Sequence, residues 1–102
     1  MSPEMELLDQ LSGVDESFFL ALQVFGWPEN VDSLEQARYS IINQLNEGLI
    51  QIKQVKQGCE RVLPEWEAKR ALSDDANWLK QRGEAEYYLS LTEKGSKYIS
   101  GR

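Results

Sequence analysis

Apolar positions along the chain change period once, near residue 49. Up to there they recur at helical spacing, and beyond it alternation and short helical stretches interleave. The opening PEMELLDQL sets Met5, Leu8 and Leu11 on one stripe and predicts a short amphipathic helix ended near Gly13. Asp15 stands as the N-cap of a second helix, ESFFLALQVFG, with Phe18, Leu22 and Phe25 at helical spacing and Gly26 as its stop. Phe19, Leu20 and Val24 make most of that helix apolar, so it is expected at the centre of the core. Trp27-Pro28 breaks the chain, with Trp27 expected to pack at a corner. ENVDS reads as a turn in which Asp32 and Glu35 form a capping-box-like start. The third helix, SLEQARYSIINQLNEG, places Leu34, Ala37 or Arg38, Ile41 and Leu45 on one face, and Gly48 fits its C-terminal position.

LIQIKQVK follows, β-branched at Ile50, Ile52 and Val55, and predicts a strand. Gln57-Gly58 ends it, and CERVL reads as a short return strand. From Pro64 the pattern PEWEAKRAL is helical, and Trp66 reaches Lys69 or Arg70 along it. Ser73 caps a further turn, SDDANWL, whose Asp74 and Asp75 lie at the positive end of the helix dipole. After the polar loop KQRGEAE comes YYLSLT, where Tyr87, Leu89 and Leu91 alternate with Tyr88, Ser90 and Thr92. Thr92 then caps a last short helix. An antiparallel pair of LIQIKQV with YYLSLT brackets residues 57–85 as a long excursion.

The 102 residues set the scale at one domain, and an apolar fraction of 41% argues against disorder. No window approaches the ~18 consecutive apolar residues of a membrane span, and the N-terminus is acidic where a signal peptide is basic, so a cytoplasmic location is expected. There is no histidine and a single cysteine, Cys59, which excludes Ser/His triads, intramolecular disulfides and most zinc sites. Carboxylate pairs such as Glu65/Glu67 and Asp74/Asp75 sit at helix starts, where dipole and capping roles explain them, and no phosphate loop or nucleophile motif accompanies them. No enzymatic activity, cofactor or metal is expected. Charge is unevenly spread: residues 1–37 carry Glu4, Glu6, Asp9, Asp15, Glu16, Glu29, Asp32 and Glu35 without one Lys or Arg, in a chain of net charge −6. That end should repel phosphate and attract basic partners.

A helix running into Leu45, Gly48, Leu49 and Ile50, then a strand, a loop, and a second strand ending in Leu91, Thr92 and Gly95, resembles the winged helix-turn-helix domain across roughly residues 15–99. In that domain L-x-x-x-G-L-I closes the third helix, whereas Leu45 here stands three rather than four residues before Gly48, and L-T-x-x-G follows the wing. The resemblance implies a single α+β, winged-helix-like domain over residues 1–102. It would have three N-terminal helices, a two- or three-stranded antiparallel sheet, an extended wing insertion over 57–85 and a short C-terminal helix. Two features depart from the family. The wing holds PEWEAKRALSDDANW, and the helix in the recognition position carries only Glu35, Arg38 and Glu47, where groove readers place positive charge. The acidic N-terminal part, the Ala76-Asn77-Trp78 segment and Tyr87-Tyr88-Leu89 before Thr92-Glu93-Lys94-Gly95 also look like small bacterial toxin immunity proteins.

The first functional expectation is therefore capture of a basic protein, such as a nuclease toxin. Asp15, Glu16, Glu29, Asp32 and Glu35 supply the field; Trp66 and Trp78 either staple the excursion to the body or, if it is an interaction loop, act with Arg70 as its anchors. The alternative is a winged-helix DNA-binding regulator, with Gln36, Arg38, Ser40, Asn43 and Gln44 facing bases and Lys53, Lys56, Arg61, Lys80 and Arg82 holding phosphates. Net negative charge ranks nucleic acid below protein as the partner. The N-terminal helix also offers a surface for a homodimer.

Overall fold

A computed structural model describes residues 2–81 and 83–101. The described residues form an α+β fold with five α-helices and a four-stranded antiparallel sheet, where the resemblance implies two or three strands. Helix α1 (Pro3–Gln10) is capped by the Ser2 side chain, which accepts from the Met5 amide, and it buries Leu7 and Leu8. Strand β1 (Glu16–Ser17) leads into α2 (Phe18–Val24), which buries Phe18, Ala21 and Leu22. The second helix is thus shorter than its apolar run, and Asp15 does not cap it. Residues 16 and 17 are extended because they pair with β4 (Tyr87–Leu91), Glu16 opposite Leu89 and Ser17 opposite Tyr88.

Helix α3 (Ser33–Asn46) buries Ala37 and Ile41 as its stripe requires. The capping box expected at its start is not formed. Asp32 has φ −95° and ψ 5°, outside the extended geometry of a cap, and its side chain makes no capping bond. Asn30 organises the loop instead: its Nδ2 donates to the Phe25 carbonyl and to Gln36 Oε1, both at 2.9 Å, and its Oδ1 accepts from the Asp32 amide at 3.1 Å. At the other end Gly48, at φ 77°, lets the Leu49 amide turn back to the Gln44 carbonyl at 2.9 Å.

Strands β2 (Ile50–Lys56) and β3 (Cys59–Val62) form a hairpin over Gln57-Gly58, both at positive φ as a type I′ turn requires. β2 also pairs with β4, and the sheet order is β1-β4-β2-β3. The register sets Ile50 and Ile52 beside Leu91 and Leu89 on the core face, and Lys53 beside Tyr88 on the other.

Residues 57–85 are not a loop hung on the body. Helix α4 (Glu65–Ser73) buries Ala68, Ala71 and Leu72, and the 3₁₀ turn Asp75–Trp78 drives Trp78 into the core. Trp78 stands 5.2 Å from the Phe18 ring, and its Nε1 donates to the Leu72 carbonyl at 2.9 Å. That turn is capped by Asp74, which accepts from the Ala76 amide at 3.1 Å. Ser73, expected to cap it, is instead the last residue of α4 and donates to the Lys69 carbonyl. Trp27 is less covered than a core corner demands, at 37% exposure. Among the described residues no helix is long and apolar enough to cross a membrane.

The chain closes with α5 (Glu93–Ser100), capped by Thr92, whose Oγ1 accepts from the Gly95 amide at 2.9 Å. Thr92 Oγ1 also lies 2.5 Å from the Gly48 carbonyl and 3.0 Å from the Leu49 carbonyl, while Lys94 Nζ donates to the Glu47 carbonyl at 2.7 Å. The two short sequence motifs, NEGLI and LTEKG, are therefore the two sides of one junction.

Candidate protein-interaction surfaces

Three surfaces gather the residues that carry charge or exposed apolar area. The first is the turn between α2 and α3. Glu29, Asp32 and Glu35 are exposed there, and no cation pairs with them among the described residues. Between them Val31 is 89% exposed, the most exposed large apolar side chain described. Asn30 ties this loop to Phe25 and Gln36, so the valine is presented on a hydrogen-bonded turn. Val31 belongs to no apolar stripe, so neither a helical nor a strand period marks it. Its lack of period within a polar turn was the signal available.

The second surface is on α4. Trp66 is 64% exposed and, with Arg70 one turn later, lines a cleft of about 380 Å³ floored by Leu63, Ala71, Asn77 and Tyr87. Beside it Gln54, Arg61 and Tyr87 form one row across three strands. Arg61 donates to Gln54 Oε1 and to Glu67 Oε2, each at 2.8 Å, and Gln54 Nε2 donates to Glu86 at 2.7 Å. The hydrogen bond from Arg61 lowers the Glu67 carboxyl below its usual range, and the same bond raises the guanidinium. Burial, aided by the Glu86 and Glu67 charges, raises the Tyr87 phenol. Trp78 does not join Trp66 and Arg70. It is wholly buried, so its role is to hold the excursion to Phe18 rather than to touch a partner.

The third surface is the outer face of the sheet, an open cleft of about 670 Å³ lined by Val14, Asp15, Val55, Glu60, Tyr88 and Ser90 among others. Lys53 reaches Asp15 at 3.1 Å and Glu60 at 3.8 Å, so the Asp15 charge is met within the fold. Glu16 is half-buried on β1. Neither belongs with the acidic loop, and the expected acidic set is divided between two faces.

The residues assigned to DNA reading are mostly engaged elsewhere. Arg38 donates to the Leu72 carbonyl at 2.8 Å, pairs with Asp75 and lies 5.8 Å from the Trp78 ring, which fastens α3 to α4. Ser40 and Gln44 are buried. The outward residues Glu35, Gln36, Tyr39, Asn43, Asn46 and Glu47 include no cation. Of the phosphate candidates, Lys53 and Arg61 are held in ion pairs, Lys56 and Lys80 are exposed, and Arg82 lies outside the described residues. Among the described residues no cluster of three or more His, Cys, Asp or Glu side chains is placed to hold a metal ion. Compared with known proteins, the chain matches no family model, no curated sequence and no solved structure.

Proposed function

We propose that this chain is a non-enzymatic binding protein on a winged-helix-like scaffold, which neutralises a basic bacterial toxin in the manner of an immunity protein. The scaffold reading is supported by the chain order α1-β1-α2-α3-β2 and by β4 lying between β1 and β2. The observation that carries the function is the hydrogen-bonded α2–α3 turn, where Val31 stands exposed beside three carboxylates that no cation meets among the described residues. An apolar contact flanked along the chain by one sign of charge suits a complementary basic surface, because the field speeds encounter and the valine adds desolvated area. Trp66 and Arg70 supply a second anchor of the types that dominate interface energies.

DNA regulation is the competing reading, and the helix in the recognition position supports it poorly, since its one cation is spent inside the fold. A titration of labelled duplex DNA at low salt separates the two. The proposal predicts no saturable binding below about 100 µM, the weak end of ordinary non-specific affinity. Micromolar binding with a steep salt dependence would replace it with the regulator.

A further inference from the structure

Between α1, α3 and α5 lies a cleft of about 190 Å³ with chemistry unlike the surfaces above. Two carboxylates, Glu4 and Glu47, and two tyrosines, Tyr39 and Tyr98, line it, together with the buried Ser40 and Gln44. Tyr39 and Tyr98 are 71% and 50% exposed, and neither carboxylate has a salt bridge among the described residues. At about 30 Å³ per water the space equals roughly six waters, below the ~300 Å³ at which small-molecule pockets begin. It suits one long side chain.

The polar atoms point to a side chain that donates hydrogen bonds. Gln44 is 6% exposed, and its Nε2 donates to the Glu4 carbonyl at 3.2 Å, which fixes the amide so that Oε1 is the free end. Gln44 Oε1 and the Ser40 hydroxyl oxygen are both buried with no hydrogen-bond partner among the described residues. A buried amide oxygen calls for a donor. The last turn of α3, which contributes Asn43 to the lining and runs into Glu47, adds the negative end of a helix dipole. The nearby cation Lys94 is turned to the Glu47 carbonyl at 2.7 Å and does not line the cleft.

We propose that this cleft receives one arginine side chain of a protein partner. The guanidinium has several donors, for the carboxylates and, once the side chain covering it shifts, for Gln44 Oε1, and its plane suits the tyrosine faces. That the arginine comes from a protein rests on the binding function proposed above; the chemistry of the cleft does not.

Capped arginine (N-acetyl-arginine methylamide) titrated into labelled protein should give saturable amide shifts at Ser40, Asn43, Gln44 and Tyr98 at millimolar concentration. The capped citrulline analogue, neutral and nearly isosteric, should shift them at least ten-fold less. Glu47→Gln and Tyr98→Ala, both at exposed positions, should each weaken capped arginine at least three-fold with an unchanged circular dichroism spectrum, whereas Glu67→Gln should leave it unaltered. Equal binding of citrulline, or no saturation at these amides, overturns the site. Methylguanidinium binding more tightly than capped arginine would assign the cleft to a free cation and overturn the side-chain occupant. None of these outcomes depends on whether the acidic loop binds a toxin.

Discussion

Gly95 shows how far one residue type can be dictated by its neighbours. A Cβ built there would meet the Leu49 carbonyl oxygen at 2.0 Å, in the junction that Thr92 closes by hydrogen bonding. Helix propensity alone makes Gly95→Ala stabilising by about 1 kcal/mol. The contact with backbone reverses the sign, and chemical denaturation should show a loss of about 2–3 kcal/mol, in the range of overpacked sites. At the Arg61–Glu67 pair the prediction concerns pH. The folded Glu67 carboxyl lies below its unfolded value, so the pair stabilises above the usual carboxylate range near about 4.3 and loses that effect as pH falls through the folded value. Glu67→Gln should therefore lower the urea midpoint at pH 7 and match the parent protein in strong acid. A constant difference at both pH values would show that packing, not the charge, is lost.

At the scale of elements, the two exposed-looking tryptophans of the excursion separate cleanly. Trp78→Ala should cost about 3–5 kcal/mol, as a filled core position does, because Phe18 and the Leu72 carbonyl lose their partner. Trp66→Ala should change stability by less than about 0.5 kcal/mol, since its ring is mostly in solvent. Comparable unfolding midpoints for the two variants would contradict the assignment of Trp78 to the core. The sequence showed α3, the hairpin and the cap of α5 because their periods are long or their ends are punctuated by Gly48, Gly58 and Thr92. It hid β1, since two residues carry no period and Glu16–Ser17 are extended only because β4 needs an edge partner. It also hid the burial of α4, whose buried stripe rests on the small Ala68 and Ala71, and it left Trp78, which sits among Asp and Asn, open between a staple and a partner anchor. The arginine cleft was out of reach for another reason: its residues come from three helices that only the fold brings together.

Across the whole molecule, the acidic N-terminal third is not one patch. Asp15 is met by Lys53 on the outer face of the sheet, while Glu29, Asp32 and Glu35, near Val31 in the chain, have no ion pair among the described residues. Folding thus concentrates the usable field on the α2–α3 turn, and α3 keeps its only cation for α4. The account then makes the rate of encounter the most sensitive quantity, because steering by a local field acts on association by factors of about 10 to 10³. The direct measurement is the association rate, at low and moderate salt, with the protein encoded by the neighbouring reading frame, where the proposed immunity function expects its toxin, comparing the parent chain with the Glu29→Lys, Asp32→Lys, Glu35→Lys variant. The account predicts at least a ten-fold slower association at low salt and a flattened salt dependence for the variant, with its fold intact. An unchanged association rate, or no complex with that product at all, would contradict it.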